Sequence, residues 1–197
     1  MAARYALIPS HTLSEHVTVH RFGQGLPSRV TMEDPAGDVM TDFRRVEAVT
    51  APPEMPMDAA LQKMIHAGVR LLIVVDPEDG VRGVVTARDI MGEKPVKAVS
   101  DERISHNALL VQHVMTPRGE LSVMDHYDVV TARVGDVVVT LRDAGRQHAL
   151  VVEYDERRRE LLRGLFSLTQ IGRQLGVEIT SEGPVQSFAQ IEKLLNR

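Results

Sequence analysis

The sequence predicts an α/β (α+β) fold assembled from two tandem β-α-β-β-α units. Three observations carry that expectation. Blocks of sequence recur in one order: Asp38-Val39-Met40-Thr41 aligns with His113-Val114-Met115-Thr116, residues 66–76 with 143–153, and residues 83–89 with 164–170. Within each copy, apolar residues switch from helical spacing to an unbroken aliphatic run, the change expected where a helix precedes a buried strand. Each helix-spaced segment also ends on an Ala-Gly pair, 67–68 or 144–145, and glycine is suited to the left-handed residue that closes a helix.

Taken in order, copy one opens with the V-M-T block and a short strand near Val46–Thr50. Ala60, Leu61, Met64 and Ile65 then share one helix face, and Gly68 stops the helix. Leu71–Asp76 reads as a strand buried on both faces. It turns through Pro77-Glu78-Asp79-Gly80 into a strand over Val81–Thr86, and a second helix starts at about Ala87. Copy two repeats the plan with a strand near Val129–Thr131, a helix carrying Val137, Val138 and Leu141, and a strand over Ala149–Glu153. A charged turn over Asp155–Arg159 leads to a strand over Leu161–Ser167 and a helix from about Leu168. A unit this small buries too little surface to be robust alone, so two units sharing a core are expected.

The expected organisation is an N-terminal arm over 1–37, a first repeat over 38–99, a linker helix over 100–112, a second repeat over 113–178 and a C-terminal amphipathic helix over 179–197. Ser100-Asp101-Glu102 reads as the start of the linker helix, continued by Ile104, Ala108 and Val111. Ser187 and Gln190 form a capping box ahead of Phe188, Ile191, Leu194 and Leu195. The arm, rich in Pro, Gly and Thr, reads as loosely attached.

Composition narrows the function. The 197 residues are 43% hydrophobic and 25% charged, too apolar for a solvated coil. A net charge of −4 disfavours general nucleic-acid binding. Without cysteine, disulfides, thiolate catalysis and cysteine-ligated metals are excluded. No run is long and apolar enough to span a bilayer, and Met1–Ser10 is a poor signal peptide. A soluble, cytoplasmic protein is expected.

The paired pattern Val39-Met40-Thr41, Ala60/Met64/Gly68, Ile73–Asp76 and Gly83–Ile90 resembles the CBS domain, named after cystathionine β-synthase. The resemblance covers about residues 38–176 and is strongest in copy one. It implies two repeats folded into a pseudo-two-fold Bateman module. Its clefts would bind AMP, ADP, ATP, S-adenosylmethionine or an NAD-like dinucleotide and so regulate a protein partner. It also implies a homodimer, through the helices near Leu61–Ile65, Ile90–Met91 and Val137–Leu141.

The resemblance points to Thr86 and Asp89. Thr86 ends a strand and opens a helix, so a phosphate could meet free backbone N–H groups there, with Arg88 adding charge. The Asp89 carboxylate could accept both vicinal hydroxyls of a ribose. Val49, Thr50, Leu72 and Ile73 are the candidate walls for an adenine. T-x-x-D is equally the pattern of a capping box, which would use the same Asp89 oxygens. In copy two, Ser167 keeps the hydroxyl but Gln170 replaces the acid, and His148 could approach a phosphate or be a satisfied strand residue. Site two would be empty, weaker or tuned to another ligand.

His16 and His20, with His11 and Glu15 nearby, read as exposed rather than as a metal site. Arg157-Arg158-Arg159 reads as a solvated hairpin tip, flanked as it is by acids. No nucleophile elbow, Walker loop or H-E-x-x-H occurs, so no catalytic residue and no catalytic cofactor are expected. The expected function is a regulatory sensor of adenosyl compounds. The alternatives are an interaction module with vestigial clefts and, least supported, a small enzyme.

Overall fold

The computed structural model describes residues 6–19 and 23–179. The C-terminal helix expected from residue 179 lies outside the described residues from 180 onward, as does His20.

Two four-stranded sheets form the architecture. In the first, β2 (Thr50–Ala51) runs parallel to β3 (Leu71–Val75), which pairs antiparallel with β4 (Val81–Thr86). In the second, β6 (Val123–Asp125) runs parallel to β7 (His148–Tyr154), which pairs antiparallel with β8 (Glu160–Ser167). Parallel neighbours require a crossover, supplied by α1 (Met57–Ala67) and α6 (Val134–Asp143). The register slips at Val74/Val75 in one hairpin and at the aligned Val151/Val152 in the other, so even the irregularity is repeated.

The V-M-T blocks exchange between sheets. β1 (Thr41–Asp42) precedes the first unit in sequence yet pairs with β8, and β5 (Thr116–Pro117) pairs with β4. Gly83 and Gly164 make this possible. A Cβ on Gly83 would lie 2.3 Å from the Thr116 carbonyl oxygen, and one on Gly164 would lie 2.6 Å from that of Thr41. Only a residue without a side chain lets the exchanged strand dock.

Side chains alternate across β3. Leu72 and Val74 join Ala60 and Met64 of α1, while Leu71 and Ile73 meet Val84 and Leu150 between the sheets. The continuous aliphatic run is thus buried on both faces, as its composition predicts. In the second unit, Val137, Val138 and Leu141 of α6 pack with Val151 and Phe166. Gly68 (φ 65°) follows α1 in the left-handed conformation, and its N–H reaches the Ile65 and Met64 carbonyls.

Three local expectations differ from the structure. Val129–Thr131 is not a strand. It ends α5 (His126–Thr131), whose start is fixed by the Asp125 carboxylate accepting from Tyr127 N at 2.8 Å, and the strand of this unit is β6, just before it. Ser100-Asp101-Glu102 ends a helix instead of opening one. α3 (Lys94–Glu102) begins with Pro95 in its first turn and stops at Arg103, which has φ 55°. A short 3-10 turn over His106–Ala108 and α4 (Val111–Val114) replace the continuous linker helix. The arm is not loose near its end. Val30, Met32 and Ala36 are buried in the core of the second unit, and Val30 N donates to Gln174 O while Gly135 N donates to Met32 O. Three isolated apolar residues give no periodicity, so burial by a distant unit is invisible to pattern reading.

Candidate functional site

A cleft of about 920 Å³ opens where the two units meet. Its first wall is the β4–α2 turn, with α2 spanning Ala87–Met91, and contributes Thr86, Arg88, Asp89 and Met91. Thr116 of β5 and the following Glu120–Ser122 form the second wall. The third comes from the other unit: Arg146, Gln147 and His148 at the start of β7, and Thr169 and Arg173 of α7 (Leu168–Leu175).

The T-x-x-D turn is a complete capping box. Asp89 N donates to Thr86 Oγ1 at 3.1 Å, and Asp89 Oδ2 accepts from Thr86 N at 2.8 Å and from Thr86 Oγ1 at 2.7 Å. The other carboxylate oxygen, Oδ1, pairs with Lys94 Nζ at 2.8 Å, and Nζ also donates to Thr116 Oγ1 at 3.1 Å. Ala87 N donates to the Arg70 carbonyl. The N–H groups of Thr86, Ala87 and Asp89 are therefore all engaged inside the protein, and the free N–H cluster expected for a phosphate is not there. A carboxylate offers about four lone-pair sites. Two on Oδ2 and one on Oδ1 are used, which leaves room for one hydroxyl rather than two.

The pseudo-equivalent turn in copy two is less extensively hydrogen-bonded. Thr41 Oγ1 approaches Gln170 Oε1 at 3.4 Å, and Ser167 precedes α7 without a side-chain capping bond. Neither Ser167 nor Gln170 lines the cleft, whereas His148 does. Burial, aided by the positive charge of Arg70 and opposed by Asp89, pushes His148 down to about 4, so the ring is neutral near pH 7.

Val49, Thr50, Leu72 and Ile73 do not line this cleft. Leu72 is fully buried beneath α1, Ile73 lies between the sheets, and Thr50 pairs with Ile73 in the first sheet. Glu120, Leu121 and Ser122 line the cleft instead. The signal that could have found them is the second V-M-T block. Once Thr116 is known to join β4, the residues after it must pass the β4–α2 turn. His11 and His16 lie in described, exposed chain, and among the described residues no group of three potential metal ligands occurs. The arginine run forms the hairpin tip, where Asp155 accepts from Arg157 N, Arg159 N and Arg159 Nε at 2.8–2.9 Å. No helix among the described residues is long and apolar enough to cross a membrane.

The two sheets with exchanged strands and the cleft at their junction define a tandem α+β pair. Residues 36–95 match the CBS domain family. A conserved protein from Pyrococcus horikoshii shares the fold with a TM-score of 0.53 at 19% identity, over 79% of this chain and 100% of that one. A CBS-domain-containing protein from Agrobacterium tumefaciens gives 0.51 at 18% identity, over 79% and 98%. A CBS domain pair solved with 5′-methylthioadenosine and S-adenosylmethionine gives 0.50 at 19% identity, over 73% and 97%. Comparison with curated protein sequences gives no match. Residues 36–95 are thus similar to the CBS domain, and the two units together have the fold of a CBS domain pair.

Proposed function

We propose that the protein is a regulatory module that binds an adenosyl compound in the cleft between its units and signals to a protein partner. The observation that carries this reading is the Asp89 carboxylate on the cleft wall, 15% exposed and held by Thr86 and Lys94. Its fourth lone-pair site can accept one ribose hydroxyl, and Thr116 Oγ1 stands beside it through Lys94. The volume lies within the roughly 300–1,000 Å³ range of small-molecule sites. The protein of the same fold solved with two adenosyl compounds supports the choice of ligand class.

In this reading Thr86, Arg88 and Asp89 act with Thr116 and Ser122 as the first site. Gln170 makes any second site weaker, because an amide offers one acceptor oxygen and no charge. In this reading the ligand is bound and not consumed: the Thr86 hydroxyl that meets the Asp89 carboxylate is taken up in the helix cap. A homodimer would use exposed Ile65 of α1 and Met91 of α2, whereas Val137 and Leu141 face their own core. We place the protein in the cytoplasm on its cysteine-free composition.

One observation favours a second reading, an interaction module with a vestigial cleft: three of the four Asp89 acceptor sites are already used internally. A thermal-shift panel of AMP, ADP, ATP, S-adenosylmethionine and NAD separates the two. A ligand at about 100 times its Kd adds roughly 2.7 kcal/mol of stability, and a flat response across the panel selects the second reading.

A further inference from the structure

The geometry points to a cleft that selects its ligand by charge, taking a phosphorylated, multiply anionic adenosyl compound and rejecting one that carries a cation such as a sulfonium. This rests on the adenosyl reading above and narrows it.

Arginines converge on the cleft from four elements. Arg70 precedes β3, Arg88 lies in α2, Arg146 precedes β7 and Arg173 lies in α7. Among the described residues the acids on the same walls are Asp89, Glu120 and Glu178, and Asp89 is already neutralised by Lys94 at 2.8 Å. The chain as a whole carries −4, so an excess of positive charge here runs against the average. His148 registers the same field, since Arg70 helps to hold its ring in the neutral form.

At the β4–α2 turn the N–H groups of Thr86, Ala87 and Asp89 are engaged and supply no anion seat. Recognition of phosphate therefore falls to guanidinium groups, which stay charged and match phosphate oxygens with two parallel donors. A cation entering this cleft meets like charge in a partly desolvated setting, where repulsion is least screened.

Calorimetry on the full chain tests this with ADP, adenosine, S-adenosylmethionine and pyrophosphate, at low and high salt. ADP is expected to bind about tenfold or more tightly than adenosine, the value of one or two charge-assisted contacts. S-adenosylmethionine should bind no better than adenosine, and ADP affinity should fall with salt. Arg146→Gln combined with Arg173→Gln should weaken ADP by about tenfold and leave adenosine unchanged. The wild-type series decides the matter even where that variant fails to fold. Adenosine or S-adenosylmethionine binding as tightly as ADP overturns charge selection and leaves the adenosyl reading standing. Pyrophosphate binding alone, with no adenosyl compound bound, keeps the anion cleft and overturns the adenosyl reading. Binding of none of the four overturns both.

Discussion

Asp89 Oδ1 lies 2.8 Å from Lys94 Nζ, and the same ammonium donates to Thr116 Oγ1 at 3.1 Å. One lysine therefore ties the helix-opening acid of the first unit to the strand that arrives from the second V-M-T block. The acid is both a cap and a wall of the cleft, and the two roles divide its oxygens.

Asp89→Asn should separate those roles. Asparagine still accepts from Thr86 N, so the cap survives, while the pair with half-exposed Lys94 is lost. Stability should fall by no more than about 1 kcal/mol. Affinity for an adenosyl ligand should fall about ten- to hundredfold, the value of losing a charged acceptor at roughly 1.5–3 kcal/mol. Calorimetry beside urea denaturation reads both. Unchanged affinity would mean that this turn is a cap only.

Gly83→Ala and Gly164→Ala should each destabilise the protein by about 3 kcal/mol, the upper end of the range for overpacking. In both, the clashing atom is backbone, the carbonyl oxygen of Thr116 at 2.3 Å or of Thr41 at 2.6 Å, so no side chain can rotate away. Chemical denaturation checks this, with Gly119→Ala as a control because its Cβ would meet nothing within 4 Å. Equal midpoints for all three would refute the account of the exchanged strands.

Those glycines also show what was legible in the sequence. The repeat, the crossover helices, both hairpins and the buried run Leu71–Val75 follow from local pattern, because each is fixed by neighbours close in sequence. Strand exchange is not local. Thr41 and Leu165 are register partners, and nothing in the segment around Thr41 names its partner. The same cause conceals Glu120–Ser122, and local pattern offers Val49 and Thr50 as adenine walls although neither lines the cleft and β2 is the opposite edge of the first sheet from β5. Val30 and Met32 were opaque for a related reason: their burial is decided by α7 and α6, more than a hundred residues away.

His148 should make stability depend on pH. Burial pushes its value in the folded chain down to about 4, against 6.5 unfolded. The unfolded chain binds the extra proton between these values, so stability is full above about pH 6.5 and declines as pH falls towards 4. At about 1.36 kcal/mol per unit the loss is at most about 3 kcal/mol, and less in proportion to the solvent that reaches the ring. Denaturation midpoints across this window should flatten in His148→Gln. Asp42 acts in a lower range. Burial raises its value, but the Arg163 pair, the Arg44 N–H and Arg45 outweigh that and hold the carboxyl below the usual carboxylate range. Its contribution is present above the unfolded value of 3.8 and is lost only as pH falls through the lower folded value. A His148→Gln protein with the wild-type slope from pH 6.5 to 4 would contradict the assignment.

The pair formed by Asp42 and Arg163 fixes the exchanged strand electrostatically, and only in the second sheet. Both side chains are 10% exposed, and Arg163 donates to Asp42 Oδ1. Glu153 lies 3.1 Å from Arg163 Nε without hydrogen-bond geometry, and is itself paired with Arg44 at 2.8 Å. The aligned position beside β4 holds Pro117, and the corresponding Arg82 is largely exposed, 4.0 Å from Asp76. Removing one partner from a buried pair strands the other charge, at a cost of roughly 3–5 kcal/mol. Asp42→Ala should fall near the lower end, about 3 kcal/mol, because Glu153 still faces Arg163. Asp42→Leu combined with Arg163→Met should recover part of the loss, since the stranded guanidinium is removed while Arg44 N still loses its acceptor and Glu153 keeps only Arg44. Arg159→Ala is the control: its pair with Asp155 is exposed, and its removal should cost less than about 1 kcal/mol. A double-mutant cycle by urea denaturation measures the coupling. Additive losses within about 0.5 kcal/mol would show that the two residues act independently and that β1 is held by its backbone pairing alone.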